Sequence, residues 1–247
     1  MQREQLEQYR IRLTGSTPEA IIAWAASTFE PGRIALASSF GAEDQVLTHI
    51  LAQISPRIEI FTLDTGRLFP ETYELIEETR KRYSIDIQVL FPEREAVESM
   101  VAEHGVNLFY TSVELRRSCC GVRKVAPLRR KLATLDAWVT GLRRDQVASR
   151  ADVSSLDWDE AHGIAKLNPL ADWTIERVFT YLHEHRVPYS PLHDRGFPSI
   201  GCAPCTRAVA PGEDPRQGRW WWESATKECG LHWVDGRLVR ARGTEED

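Results

Sequence analysis

Short apolar runs alternate with longer amphipathic stretches along the first half of the chain. Within each amphipathic stretch the apolar residues recur at helical spacing. This alternation predicts an α/β fold in which a parallel sheet is flanked by helices on both faces. Right-handed crossovers would place the strand-to-helix loops at one edge of the sheet, where such folds bind ligands. In chain order, the predicted elements are a helix at 17–29, a strand at 33–38, a helix through 51, a strand at 58–63, a helix at 70–83, a strand at 86–90, a helix at 93–104 and a strand at 137–140.

The second half of the chain has weaker periodicity and more turn signals. Proline and glycine recur from residue 187 onward, which predicts an irregular C-terminal part with loops and short helices. The other predictions for this half are a helical stretch at 112–132 with a break near Pro127, one or two short strands around Gly163 within 158–167, and a helix at 172–186.

Composition and charge narrow the class of protein. With 247 residues and 42% hydrophobic content, the chain can bury a sizeable core without disulfides. Its first residues, MQREQLEQYRIRLTGS, are charged and have no apolar run like that of a signal peptide or a membrane span. Together with five cysteines, an odd number, this predicts a cytoplasmic protein with no membrane partner. The net charge of −5 argues against a general nucleic-acid binder.

The charge around one pair of cysteines, Cys119 and Cys120, differs from that of the whole chain. Seven basic residues and no acidic residue lie between positions 116 and 131. A basic field of this kind inside an acidic protein favours a small polyanionic ligand. A solvated helix face is the alternative explanation for any single one of these cations. The seven are Arg116, Arg117, Arg123, Lys124, Arg129, Arg130 and Lys131.

Two cysteine pairs give the strongest chemical signal: Cys119 with Cys120, and Cys202 with Cys205. Four thiolates suit a zinc ion or an iron–sulfur cluster, because both bind cysteine sulfur in a closed tetrahedral set. Adjacent cysteines reach one small ion poorly, since neighbouring side chains point apart. The pattern therefore favours a cubane cluster, with zinc as the alternative. Taken separately, the pairs could also be a redox motif and two buried small hydrophobic residues.

Polar loops follow two of the predicted strands. The sequence SSFGAED begins at Ser38, at a strand-to-helix turn where backbone N–H groups and the helix dipole favour an anion. It lacks the Gly-Lys-Ser/Thr of a Walker motif, and a plain tight turn is the alternative. The sequence LDTG, from Leu63, ends the next strand at the same edge. Its carbonyl groups and threonine hydroxyl could hold an adenine or a ribose.

The C-terminal part carries further candidates. Arg216 and Arg219 suit phosphate or sulfate, because a planar guanidinium donates two hydrogen bonds at once. The tryptophans at 220–222 are expected to pack a segment of chain rather than to stack on a base. Cys229 is left over from the two pairs, with His232 three positions on. Thiolate attack on an electrophilic sulfur is the natural chemistry for such a cysteine. For His232 the alternatives are a thiolate partner and a structural histidine.

These motifs, in this order, resemble the assimilatory adenylyl-sulfate (APS) reductases of the PAPS-reductase family. The similarity rests on SSFGAED, LDTG, the CC and CxxC cysteines, GExxRxGRWWWE and KECGLH, and it spans residues 38–232. It implies the adenine nucleotide α-hydrolase-like fold, with SSFGAED as a modified pyrophosphatase-type loop. Relatives that use the 3′-phosphorylated nucleotide usually lack the four cluster cysteines, so the cysteines favour APS as the substrate.

The resemblance also implies roles for individual residues. The four paired cysteines would ligate a 4Fe-4S cluster, and Cys229 would be the nucleophile. Lys124, which follows the first pair, would act near the cluster and the sulfate. After GLRRDQ the sequence departs from the proline-containing stretch common in the family, so Arg150 has no clear counterpart. The residues that match nucleotide- and ligand-binding positions are Ser38, Ser39, Gly41, Asp44, Leu63, Thr65, Gly141, Arg216 and Arg219.

The activity that the resemblance implies is thioredoxin-dependent reduction of adenosine 5′-phosphosulfate to sulfite and AMP, through an S-sulfocysteine on Cys229, in sulfate assimilation and cysteine biosynthesis. Residues 1–219 would form the nucleotide- and cluster-binding reductase domain, and 220–247 a mobile segment that presents Cys229. A homo-oligomer is compatible with the sequence. The alternatives are a PAPS or dual-specificity reductase, a PP-loop ATP pyrophosphatase, and a non-catalytic cluster or zinc protein that senses nucleotides.

Overall fold

A six-stranded sheet lies at the centre of the residues that the structure describes, and helices pack on both of its faces. The structure is a computed structural model that describes residues 3–54, 57–146, 150–223, 233–234 and 237–238. The strands are β1 (Ile34–Ala37), β2 (Glu59–Leu63), β3 (Ile87–Leu90), β4 (Ala137–Val139), β5 (Leu156–Asp159) and β6 (Ile164–Leu167), with a separate pair, β7 (Trp233–Val234) and β8 (Arg237–Leu238). The α-helices are α1 (Arg3–Leu13), α2 (Pro18–Thr28), α3 (Ala42–Ile54), α4 (Pro70–Tyr83), α5 (Arg94–His104), α6 (Val113–Cys120), α7 (Ala126–Leu132) and α8 (Ile175–Glu184).

The strands of the main sheet are ordered β3-β2-β1-β4-β6-β5. All neighbouring pairs are parallel except β5 and β6, which run antiparallel at one edge. The prediction of a parallel sheet flanked by helices is confirmed, with this one antiparallel strand added. Gly163 closes the β5–β6 turn at a φ of 66°, a backbone conformation that glycine adopts without strain.

The two faces of the sheet are buried against different helices. On one face, Leu36 and Val139 pack with apolar residues of α2, α3 and α8. On the other face, Phe61 and Trp138 pack with Leu128 of α7. Both faces are therefore removed from water at the central strands, whereas Gln88 and Val89 of the edge strand β3 are exposed. At the central strands, the loops at the strand ends remain accessible for ligand binding.

The basic, cysteine-bearing stretch is helical throughout, but its irregularity differs from the predicted break at Pro127. A π-helical turn, Gly121–Val125, joins α6 to α7 before the proline. The Ala126 N–H bonds the carbonyl of Gly121, five residues back. Proline has no N–H to offer the carbonyl four residues before it, so the wider turn accommodates a position where an α-helical bond cannot form.

The ends of the chain differ more from the predictions. Helix α1 was not predicted, because its sequence is charged and weakly patterned. Among the described residues, 187–223 consist of turns and two short 3₁₀ segments, His193–Arg195 and Ala203–Cys205, as expected. The β7–β8 pair lies where only loops and short helices were expected. No helix among the described residues is long and apolar enough to cross a membrane.

The domain boundary at 219/220 stays a prediction, as does the mobility of the segment beyond it. The first described residues of that segment pack against the rest of the chain. Trp220 is 1% exposed, and Trp222 contacts the rings of Phe109 and Tyr110. The expectation that tryptophans here pack a chain segment is thus confirmed for these two, whereas Trp221 is 40% exposed.

Candidate functional site

A cleft of about 380 Å³ opens at the carboxyl ends of β1, β2 and β4. Its position agrees with the expectation that the loops at this edge of the sheet form the ligand site. Most of the residues predicted to bind substrate line it, although they come from distant parts of the sequence. They are Ser38, Ser39, Gly41, Asp44, Leu63, Gly141, Arg216 and Arg219, and Lys124, predicted to be catalytic, lines the cleft as well.

The loop that leads from β1 into α3 is held by Asp44. The Asp44 carboxylate accepts hydrogen bonds from the Ser39 backbone N–H at 2.6 Å and from the Ser39 hydroxyl at 2.8 Å. Burial raises the pKa of Asp44 to about 6, even though the Ser39 bonds act in the opposite direction. The Ser38 hydroxyl accepts a bond from the Phe40 N–H, and Phe40 has a positive φ of 60°. The first turn of α3 therefore faces the cleft from a tightly fixed loop.

Gly141 follows β4 and touches this loop so closely that only glycine fits. A β-carbon at position 141 would lie 2.6 Å from Asp44 Oδ1 and 2.8 Å from the β-carbon of Glu43. Glycine therefore allows the β4 loop and the start of α3 to meet at the cleft.

Thr65 is placed differently from the other predicted substrate residues. Its neighbour Leu63 lines the cleft, but Thr65 does not. Thr65 is fully buried, and its hydroxyl lies 3.2 Å from Cys202 Sγ. The chain leaves the sheet after Leu63, so the alternation that puts residues two apart on one face does not extend to Thr65. The role of Thr65 in binding substrate therefore stays a prediction, and the contact that the structure shows for its hydroxyl is with Cys202.

Cationic side chains line the cleft on several sides. Arg143 is buried and pairs with two carboxylates: its Nε donates to Glu43 at 2.9 Å, and its Nη1 pairs with Asp145. Arg219 is 7% exposed and its Nη1 approaches Ser199 Oγ and the Ile200 carbonyl at 3.4 Å. The cations lining the cleft among the described residues are Lys124, Arg143, Arg150, Arg216 and Arg219.

The four paired cysteines line one smaller cavity next to the cleft. Cys119 and Cys120 come from the end of α6, whereas Cys202 precedes the 3₁₀ segment Ala203–Cys205 and Cys205 ends it. Lys124 lines both this cavity and the cleft. The structure therefore brings the two cysteine pairs together, as the sequence predicted, and places one lysine between them and the candidate substrate site.

The cysteine thiols differ in the direction in which their surroundings shift the pKa. Burial, together with the nearby Cys202 and Cys120, raises the pKa of the Cys205 thiol to about 12. Burial also acts to raise the pKa of Cys202, but Lys124 and the Thr65 hydroxyl outweigh it, so that pKa is lowered. Burial raises the pKa of Cys119 as well. Four thiolates in one cavity would repel one another, so a positively charged partner is needed if all four are to be ionised together.

The fit of this cavity to a metal group rests on its donors. Four soft sulfur atoms converge, and Arg123 Nε is buried without a hydrogen-bond partner among the described residues. A buried N–H donor beside sulfur suits an anionic, sulfur-rich group. Among the described residues, no group of three or more His, Cys, Asp or Glu is arranged to hold a single metal ion. Cys229 and His232 lie outside the described residues.

Sequence reasoning missed several residues of the cleft. Glu43 and Arg143 are 100 positions apart, and nothing local in the sequence couples them. The position of Arg143 just after a strand that ends at this edge was the available signal. His193 also lines the cleft; its Nδ1 donates to the Phe197 carbonyl at 2.9 Å, and burial lowers its pKa. Burial therefore favours the neutral form of the imidazole.

The sheet order, the helices on both faces and the cleft at the carboxyl edge define an α/β protein of the adenine nucleotide α-hydrolase-like class. The FMN adenylyltransferase of Candida glabrata in complex with ATP has a similar fold, with a TM-score of 0.54 and 19% identity, covering 86% of this chain and 68% of that one. A crystal structure of phosphoadenylyl-sulfate (PAPS) reductase from Candida auris gives a TM-score of 0.73 and 26% identity, covering 85% of this chain and 98% of that one.

The chain belongs to the phosphoadenosine phosphosulfate reductase domain family, whose sequence profile matches residues 33–208. It is 57% identical over 201 residues to the adenosine 5′-phosphosulfate reductase of Burkholderia cepacia. The match covers 81% of this chain and 80% of that protein. It is 54% identical over 200 residues to the adenosine 5′-phosphosulfate reductase of Allochromatium vinosum. That match covers 81% of this chain and 78% of that protein. The family expected from the sequence motifs is thus confirmed.

Proposed function

We propose that this protein is an adenosine 5′-phosphosulfate reductase, an oxidoreductase of assimilatory sulfate reduction. The single observation that carries the proposal is the shared position of Lys124, which lines both the cleft and the four-cysteine cavity. A cationic cleft of nucleotide size suits a substrate that carries a phosphate bonded to a sulfate. The relatives that bear this name, at 57% and 54% identity over most of the chain, support the same conclusion.

The proposed reaction begins with the Cys229 thiolate. It attacks the sulfate sulfur of APS, the bond from that sulfur to the phosphate oxygen breaks, and AMP leaves with the electron pair. Lys124, Arg216 and Arg219 are positioned in the cleft to bind the negative charge on the transferred and leaving groups. The product on the enzyme is an S-sulfocysteine at Cys229.

Thioredoxin supplies the two electrons in this proposal. One thioredoxin thiolate attacks the Cys229 sulfur and displaces sulfite. Cys229 and thioredoxin are then joined in a mixed disulfide. The second thioredoxin thiol then attacks that disulfide, so that Cys229 returns as a thiolate and thioredoxin leaves oxidised. A cytoplasmic location, proposed from the odd number of cysteines, provides the reducing conditions that this exchange needs.

The four paired cysteines would hold a 4Fe-4S cluster, since their sulfur donors and the buried Arg123 N–H suit such a group. When bound, the cluster would add positive iron charge that keeps the four thiols ionised and shapes the field around Lys124. The two thiols of thioredoxin account for both electrons, and Cys229 carries the sulfonate between the two steps, so the cluster need not transfer electrons.

Intact-mass measurement tests the proposal. Protein purified without oxygen and mixed with APS, but with no thioredoxin, should gain one sulfonate on Cys229, and Cys229→Ser should gain none. Adding reduced thioredoxin should release sulfite over many turnovers. An adduct that persists in Cys229→Ser would refute the assignment of the nucleophile.

A preference for PAPS is the second candidate, and the similarity to the Candida auris PAPS reductase favours it. Parallel measurements of sulfite release from APS and PAPS separate the two. Faster release from APS supports the proposal, whereas faster release from PAPS assigns the protein to the second activity.

A further inference from the structure

A buried ion pair joins the cysteine-bearing helix to the chain that leads toward Cys229. Arg116 Nε donates to Glu223 Oε1 at 2.8 Å, and Arg116 Nη2 donates to Glu223 Oε2 at 2.7 Å. Both side chains are 2% exposed. Arg116 also interacts with Cys120, one of the four cysteines of the small cavity. The two-bond geometry fixes both side chains relative to each other.

The same arginine lies over the ring of Trp220. Arg116 Cζ is 4.6 Å from the centre of the indole, and Arg219 Cζ is 4.7 Å from it. Trp220 is therefore in contact with one guanidinium that is paired with Glu223 and with another that lines the cleft. A single aromatic ring thus lies in contact with both the ion pair and Arg219.

Arg219 is also confined from another side. A β-carbon at Gly201 would lie 2.3 Å from Arg219 Nη2, so the guanidinium packs directly against the glycine backbone. The Trp220 N–H bonds the carbonyl of Cys205 at 3.2 Å, and Arg219 pairs with Thr206 in an antiparallel bridge. The segment that carries Arg219 is thus tied to the second cysteine pair.

Stability alone is a poor explanation for this arrangement. Two charges taken out of water often contribute no more to folding than apolar side chains of the same size. Fixing a geometry is the better attested use of such a pair. Here the geometry that it fixes belongs to Arg219 and to the start of the C-terminal segment.

We propose that Arg116 and Glu223 are positioning residues that hold Arg219 in its cleft orientation and anchor the segment that delivers Cys229. Cys229 follows Glu223 by six residues, a stretch that spans at most about 20 Å when fully extended. The Cys229 backbone therefore lies within that distance of Glu223, which the ion pair holds in place. The inference rests on the proposed function, because it assigns a role within the same reaction.

Glu223→Gln tests the proposal, since it keeps the shape of the side chain and removes its charge. In a Cys229→Ser background, which binds APS without attacking it, titration calorimetry should show APS affinity weakened about tenfold, the scale of one charge-assisted hydrogen bond. With Cys229 intact and APS saturating, the rate of sulfonation should fall as well. Glu77→Gln, the same change in the exposed pair with Arg80, is the matched control and should alter neither value.

A purely structural role predicts a different result. It would lower the unfolding temperature while leaving APS affinity and sulfonation rate per folded molecule unchanged, and that outcome would overturn the proposal. If Glu223→Gln does not fold, the Arg116→Gln/Glu223→Gln double variant removes both charges and leaves none unpaired. It should fold yet still bind APS weakly; normal affinity would refute the inference. If the parent protein neither binds APS nor forms an adduct, it is the proposed function that fails.

Discussion

The Asp44 carboxylate lines the cleft in a buried position. Burying its charge lowers the free energy of unfolding, and the size of this cost depends on pH. Burial raises the pKa of Asp44 in the folded protein to about 6, from an ordinary value of 3.8. The folded protein thus holds this proton more tightly than the unfolded chain does. The cost is absent below the ordinary pKa, grows as the pH rises toward the folded pKa, and is constant above it. At neutral pH it amounts to about 3 kcal/mol.

Asp44→Asn should remove this cost while keeping an oxygen that accepts from Ser39. The free energy of unfolding of the variant, relative to the natural protein, should rise by about 3 kcal/mol at about pH 7.5 and by only about half of that at about pH 5. The new amide N–H group needs a partner of its own, which reduces the gain equally at both pH values. The diagnostic result is therefore that the stability difference between Asp44→Asn and the natural protein is larger at about pH 7.5 than at about pH 5.

Urea unfolding followed by tryptophan fluorescence measures this difference in protein without nucleotide. Glu77→Gln, which removes an exposed carboxylate on α4, serves as the control and should show no comparable trend with pH. An Asp44→Asn difference that is equal at both pH values, or that is larger at the lower one, would refute the reasoning.

Three further predictions follow from the contacts around the cleft and the cysteines. Gly141→Ala should lower the free energy of unfolding by about 1–3 kcal/mol and weaken AMP binding, because its β-carbon would meet Asp44 Oδ1 at 2.6 Å; an unchanged urea midpoint and AMP titration would contradict this. Lys124→Met should slow sulfonation of Cys229 about 100-fold in a mass-spectrometric time course, since it removes a cation beside the reacting sulfate; an unaltered time course would argue against that role. Thr65→Val should leave AMP affinity as it is but change the visible spectrum of the iron-loaded protein, with Thr65→Ser as the matched control, because the Thr65 hydroxyl contacts Cys202 rather than the cleft. If Thr65→Val weakened AMP binding and Thr65→Ser did not, the Thr65 hydroxyl would be a substrate-binding group after all.

Local signals account for the parts of the fold that the sequence predicted well. The Thr17 side chain accepts from the Ala20 N–H, and Pro18 occupies the first turn of α2. Two adjacent residues therefore specify where that helix begins. Pro70 likewise occupies the first turn of α4, although the residue before it, Phe69, makes no side-chain capping bond. The cleft was predictable because parallel strands put successive loops at one edge.

Long-range contacts account for what the sequence could not provide. The Arg143–Glu43 pair and the Arg116–Glu223 pair each join residues about 100 positions apart, and no periodicity links them. The contact of Thr65 with Cys202 was missed for a related reason: β2 ends two residues before Thr65, and Cys202 lies 137 positions away. Spacing and residue type do, however, predict which cysteines meet, because their chemistry restricts the possible partners.

The π-helical turn at Gly121–Val125 has a consequence for how this site can change over evolution. A π turn holds one residue more than an α-helical turn, and one residue corresponds to about 100° of rotation about the helix axis. Gaining or losing that residue would swing a different cation toward the cysteines, while α6 would keep Cys119 and Cys120 and α7 would keep its packing on the sheet. In the present register Arg123 Nη1 donates to the Thr65 carbonyl at 2.7 Å, and Lys124 reaches both cavities. A single insertion or deletion could thus retune the charge beside the sulfurs and leave the scaffold intact.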